Sequence, residues 1–211
     1  MKLVVTEKND AAVKIADLLG ASKPKADKVF NTPVYRFEVE GEEWVTIGLR
    51  GHILEPDFAP VLTYRKTKGW MGVTEDGKTL SAQLPDTLAK PPFKKKKPFT
   101  EDSVELKAWK MDALPYLVYA PIEKLPKEKD IIRSLKNLAK KADSIVIATD
   151  FDREGELIGS DALSCIKEVN DTAPVSRARY SAFTKEEITH AFSNLVELDT
   201  DLASAGASRQ D

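Results

Sequence analysis

The chain opens on a short apolar, β-branched run, KLVVT at 2–6, which predicts a strand. Apolar positions return at helical spacing over 11–20 and stop at Gly20, which predicts a helix with glycine at its C-cap. YRFEVEGEEWVTIGLRG, 35–51, predicts a hairpin turning at EGEE around Gly41. The pattern sharpens again from Lys127. Residues 127–142 form an amphipathic helical pattern, and SIVIATD, 144–150, is a continuous apolar strand of the kind buried on both faces of a parallel sheet. A helix is predicted over 154–169, and a strand of mixed polarity over 175–182 (VSRARYSA). A further helix over 184–195 is opened by a capping box, Thr184 with Glu187 three residues on. Helix, strand, helix, strand and helix in succession predict an α/β fold with a mainly parallel central sheet flanked by helices.

Between these halves the periodicity fails. Prolines stand at 56, 60, 85, 91, 92, 98, 115, 121 and 126, and KPPFKKKKPF at 90–99 is basic and proline-flanked. The expectation is one domain over 1–211, with its core at 1–54 and 116–198 and a loop-rich insertion of short strands at 55–115. YLVYAPI, 116–122, returns the chain to the sheet. Residues 199–211 begin like another helix, which reads as the lead into downstream domains of a longer polypeptide. There are no internal repeats.

Composition narrows this only slightly. The 211 residues carry a net charge of −2, so any nucleic-acid contact needs a local positive patch. The single cysteine, Cys165, excludes an intrachain disulfide and fits a reducing compartment. No apolar run approaches the roughly 18 residues that would span a bilayer, and no secretory signal precedes the first strand; the expectation is a cytoplasmic protein without a membrane partner.

The candidate chemistry lies in ATDFDREGELIG, 148–159, where Asp150, Asp152, Glu154 and Glu156 crowd around Arg153. Like charges so close are costly unless something positive joins them. If the strand stays extended past Asp150, then Asp150 and Asp152 project together at the carboxyl end of the strand, where parallel sheets form their binding crevice. Glu7, followed by Lys8, ends the first strand and reaches the same rim if the two strands are neighbours. Converging carboxylates suit Mg²⁺, and no His/Cys cluster is available for zinc. Two other readings stay open. Asp152 can be an N-cap with the glutamates as an ordinary first turn. Asp150, Asp152, Glu154, Gly155 and Asp161 also fall at positions 1, 3, 5, 6 and 12 of a calcium loop of the EF-hand type, which would make the chain a Ca²⁺-binding module. That motif wants glutamate last and a helix first, and here an aspartate and a strand stand instead.

ATDFDREGELIG resembles the DxDxE signature of the Toprim domain of type IA DNA topoisomerases. TEKNDAAVKIADLLG (6–20) resembles that family's first strand and helix in the archaeal-type and topoisomerase III-like form, RGHILEPDF (50–58) its Gly-His element, and SAGASRQD (204–211) the helix that leaves the domain. The middle, about 59–115, matches nothing comparable. The resemblance implies a Toprim, Rossmann-like fold and a Mg²⁺-dependent enzyme that cuts one DNA strand through a tyrosine and reseals it, relaxing negatively supercoiled DNA. Asp150, Asp152 and Glu154 would hold the metal. Glu7 would act as acid/base and possible ligand, Lys8 would stabilise the phosphate, and Arg153 and His52 would sit near the DNA or the acids. For Arg153 a structural ion pair, and for His52 a turn position, remain alternatives.

The family's nucleophilic tyrosine lies in a Y-x-R context beyond this domain, and Tyr64 in TYRKT has its arginine one place too early. The chain alone is therefore expected not to relax DNA. Its partners would be single-stranded DNA segments and downstream domains, at the nucleoid. Arg177 and Arg179, alternating on a strand beside the site, are expected to face DNA, whereas Lys90 and Lys94–Lys97 read first as a solvated loop, with phosphate contact as the alternative. Another Toprim enzyme, primase- or nuclease-like and active by itself, is the alternative.

Overall fold

The structure, a computed structural model, describes residues 1–65, 69–74, 77–85, 103–106 and 110–199. In chain order it runs β1 (Lys2–Thr6), α1 (Asn9–Leu19), β2 (Lys25–Val29), β3 (Thr32–Val39), β4 (Glu42–Gly48), β5 (Leu54–Phe58), β6 (Val61–Arg65), β7 (Gly69–Val73), β8 (Thr79–Ser81) and β9 (Ser103–Glu105). A 3₁₀ turn (Met111–Ala113) follows, then α2 (Leu114–Leu117), β10 (Ile122–Pro126), α3 (Lys129–Ala139), β11 (Ser144–Ile147), α4 (Arg153–Lys167), β12 (Val175–Arg177) and α5 (Lys185–Ser193). Two compact units result, one from Met1–Leu54 with the chain from Pro126 onward, the other Glu55–Leu125.

The first unit is a three-layer α/β arrangement. Its six-stranded sheet has the order β12-β11-β1-β4-β3-β2. β1 pairs in parallel with β11 and with β4, and β11 with β12, whereas β2, β3 and β4 are antiparallel. Strand alternation sends Leu3, Val5, Ile145 and Ile147 into one core with Leu135 and Leu138 of α3 and Ile158 and Ala162 of α4. Val4 and Val146 point the other way, onto Ile15 of α1 and Ile188 of α5. β1 and β11 are apolar on both faces because both faces are covered, and each fully buried aliphatic side chain contributes about 1.5–3 kcal/mol.

Several elements depart from the sequence expectation. β2 was not foreseen: its positions are almost all exposed, so no apolar rhythm marks it, and it is held by pairing with β3 and by Val29, whose carbonyl accepts from Ser134. Gly20 caps α1 in an extended conformation, not a left-handed one, and a Cβ there would meet the Ala16 carbonyl oxygen at 2.8 Å. The turn at Glu40–Gly41 does take positive φ, 53° and 82°, as a two-residue hairpin turn requires. β11 stops at Ile147 and β12 at Arg177, both shorter than expected. Thr184 caps α5 by accepting from the Glu187 amide, but the Glu187 carboxylate turns to Ser181 and so completes only half of the box.

The second unit is a folded β structure with its own core. β8-β7-β6-β9 form an antiparallel sheet over Leu62, Val104, Leu106, Ala113 and Tyr116, and β5 pairs with β10. Residues 114–117 are helical, so YLVYAPI does not rejoin the main sheet, and the return falls at Pro126 instead of 116. At the junction the Ile53 carbonyl accepts from the amides of both Lys127 and Glu128. The runs at 90–99 and 200–211, including Lys90 and Lys94–Lys97, lie outside the described residues.

Candidate active site

The rim is built where β1 and β11 end side by side. Their register pairs Val5 with Ile147, and the Ala148 amide donates to the Val5 carbonyl at 2.7 Å, so the chains leave the sheet together. After β1, the Thr6 hydroxyl bonds the carbonyls of Ile47 and Lys8, and the Gly51 amide donates to the Glu7 carbonyl at 3.0 Å. Gly48 is required at this crossing: a Cβ would lie 2.5 Å from the Asn9 amide nitrogen.

Glu7 and Asp150 are thereby brought together around one ammonium. Lys8 Nζ is 3.0 Å from Glu7 Oε1 and 3.8 Å from Asp150 Oδ2. The hydrogen bond that Lys8 donates to Glu7, then the charges of Glu7 and Asp150, hold the Lys8 ammonium above its ordinary pKa.

The loop after β11 is fixed through its backbone. The Thr149 hydroxyl donates to the Gly155 carbonyl at 2.7 Å, and the Gly155 amide donates to Asp152 Oδ1 at 2.7 Å. A Cβ on Gly155 would lie 2.0 Å from the Asp150 carbonyl oxygen, so only glycine admits this approach. Asp152 is thus the N-cap of α4, with extended backbone and one carboxylate oxygen committed to the helix. β11 ends at Ile147, so Asp150 and Asp152 stand on the loop after the strand and not on an extended strand.

Glu154, in the first turn of α4, lies 2.9 Å from His52 Nε2. A carboxylate only accepts, so this nitrogen carries the proton. His52 Nδ1 is buried without a partner among the described residues. Arg153, the first residue of α4, is exposed.

Arg177, expected to face DNA, lies in the core instead. It is fully buried, its Nε is 2.8 Å from Glu156 Oε1, and its other nitrogens donate to the carbonyls of Ile147, Ala178 and Asp150. It cannot face DNA; it pins the Asp150 loop from beneath. Glu156, grouped in the sequence with the acid cluster and with an ordinary first turn as the alternative, is also fully buried; its place on the apolar face of α4 is the sequence signal for that. Arg179 does reach the rim. Its guanidinium lies 4.8 Å from the ring centroid of Phe151, which the sequence reading also passed over, and 3.6 Å from Asp199.

The calcium-loop reading fails on the same geometry. Residues 153–167 are helical and Asp161 is buried on that helix, so no twelve-residue loop exists. No group of three or more His, Cys, Asp or Glu is gathered around a metal position among the described residues. The donor chemistry nevertheless fits a hard cation: Glu7 and Asp150 already share one positive group, and Asp152 keeps a second oxygen. The tyrosines near the rim are packing residues. Tyr180 donates to the Ala148 carbonyl at 2.7 Å and burial pushes its phenol far up, while Tyr35 donates to Asn9. Among the described residues no helix is long and apolar enough to cross a membrane.

Comparison with known proteins fits this geometry. The Toprim domain model matches residues 2–183. The chain is 34% identical over 208 residues to DNA topoisomerase 1 of Archaeoglobus fulgidus, covering 99% of this chain and 24% of that protein. It is 32% identical to DNA topoisomerase 1 of Thermoplasma acidophilum, covering 99% and 21%. Against human DNA topoisomerase 3-alpha the identity is 27%, covering 99% and 17%. The chain therefore spans about a quarter or less of the length of these relatives.

Proposed function

Because this chain belongs to the Toprim family, we propose that it is the Mg²⁺-binding part of a type IA DNA topoisomerase, acting on single-stranded DNA segments together with further domains of the same polypeptide. The observation that carries the reading is the pairing of Glu7 and Asp150 on Lys8, at the ends of two adjacent parallel strands. Phosphoryl transfer asks a protein mainly for positioning and for neutralisation of oxygen charge.

Asp150, Asp152 and Glu154, with Glu7 beside them, would hold Mg²⁺, which when bound supplies charge neutralisation at the phosphate oxygens. Lys8 sits where its ammonium can pass from the carboxylates to a phosphate oxygen. Glu7, only 13% exposed at its side chain and paired with Lys8, is the carboxyl placed to pass a proton to the leaving oxygen. His52 orients Glu154 through its Nε2–H, and Arg153 offers an exposed guanidinium fork to the strand. Arg179 is the DNA contact we retain on this edge. The work of such an enzyme lies in the cytoplasm, at the nucleoid.

The test is calorimetric. The 211-residue chain should bind Mg²⁺, more tightly with a single-stranded oligonucleotide present, and Asp150→Asn with Asp152→Asn should abolish that binding while the chain stays folded. Unchanged Mg²⁺ affinity in the double variant would sink the site. The chain by itself should relax no supercoiled plasmid, since none of its described tyrosines stands free at the rim as a nucleophile; relaxation by pure protein overturns that expectation.

A further inference from the structure

We infer that Phe151 is a stacking platform for one unpaired nucleobase of the strand whose phosphate lies at the acid rim, an inference that rests on the DNA-binding reading above. Phe151 stands between two acids in a loop that is otherwise tightly held. The Asp150 carbonyl is fixed by Arg177, and the Asp152 side chain is fixed on the Gly155 amide. The ring between them is nevertheless half exposed, in no core cluster of the described residues. Arg179 lies over the ring at 4.8 Å from its centroid, and the Arg179 Nε is buried without a hydrogen-bond partner among the described residues.

An aromatic ring with a guanidinium on it and a wet remainder is the composition of a base-binding platform. Stacking supplies affinity without sequence preference, and the cation favours both the ring and a neighbouring phosphate. Proximity completes the case. Consecutive Cα atoms are about 3.8 Å apart, so Phe151 is within one nucleotide's reach of a phosphate held at Asp150 and Lys8. A duplex keeps its bases paired and stacked on one another, so the ring selects single strands. Phe151 has no hydrogen-bonding group and reads no base identity.

The experiment is an anisotropy titration of the 211-residue chain with a labelled oligo-dT, a sugar–phosphate oligomer of equal length lacking bases, and a duplex. Wild type should bind oligo-dT about tenfold more tightly than the abasic oligomer. Phe151→Ala should lose that preference and leave duplex affinity as in wild type. Phe151→Trp should keep the preference, and Phe151→Leu, apolar but without a π face, should not. Melting curves should coincide across the series, because the ring lies outside the core. An oligo-dT preference that survives Phe151→Ala, or that Phe151→Leu restores, overturns the platform and leaves the metal-site reading standing. A wild-type chain that binds none of the three probes overturns both.

Discussion

At the residue scale, the side chains that matter most are those holding the acids, not the acids alone. Glu156 and Arg177 form a fully buried pair, and removing one partner strands a charge in the core. Arg177→Met alone should cost about 3–5 kcal/mol in denaturant unfolding, and Glu156→Leu with Arg177→Met should recover most of it. The repaired double variant should still bind Mg²⁺ more weakly than wild type, since the Asp150 carbonyl has lost its donor. Asp152 caps α4 and, on the proposed reading, also holds the metal, and substitution can separate the two. Asparagine also caps, so Asp152→Asn should leave the melting temperature almost unchanged while weakening Mg²⁺ binding, whereas Asp152→Ala should in addition cost about 1 kcal/mol of stability. The acid cluster was legible in the sequence because charges interrupting a buried strand are conspicuous. Arg177 was misread because alternation says which side chains share a face, and not whether a buried acid waits opposite.

At the element scale, strands and helices with an apolar rhythm were legible and those without one were not. α3 and α4 lie almost where spacing put them, since their apolar residues recur at helical intervals. β2 announces nothing, and its edge is held instead by Arg36, which bonds Asp27 across the hairpin and Glu43 on the next strand. Hydrogen bonding to Arg36, then to the Lys28 amide, lowers the Asp27 pKa below 3.8. The sign follows: the folded form is the weaker base, so this contribution is present above pH 3.8 and is lost as pH falls through the lower, folded value. Thermal melts between pH 2 and 6 should show a shallower acid decline for Asp27→Asn than for wild type. The strand ends were overestimated because loop residues pinned by side-chain hydrogen bonds, Thr149 and Ala178 among them, are as apolar or β-branched as the strands they follow.

At the scale of the whole molecule, the proline-rich interruption, expected as a loop-rich insertion with short strands, is a folded unit, because its short strands pair antiparallel over a small core of their own. The two crossings into it meet at the Ile53 carbonyl. Replacing 55–125 with a short glycine-containing turn should therefore leave a chain that melts cooperatively and binds Mg²⁺ with wild-type affinity, read by calorimetry. Cys165 offers a global probe. Burial holds its thiol above the ordinary pKa, so a thiol reagent should modify it only at the rate of unfolding.

β1, made before the other strands of its sheet, lies in the middle of that sheet, and its neighbour β11 follows roughly 140 residues later, a wait on the order of ten seconds at ribosomal speeds of 5–20 residues per second. Through that interval an apolar edge stands bare on the nascent chain. Birth, not heat, is this protein's hazardous moment, and slow translation or missing chaperones would reduce its yield more than they would that of a fold whose first strand sits at the margin.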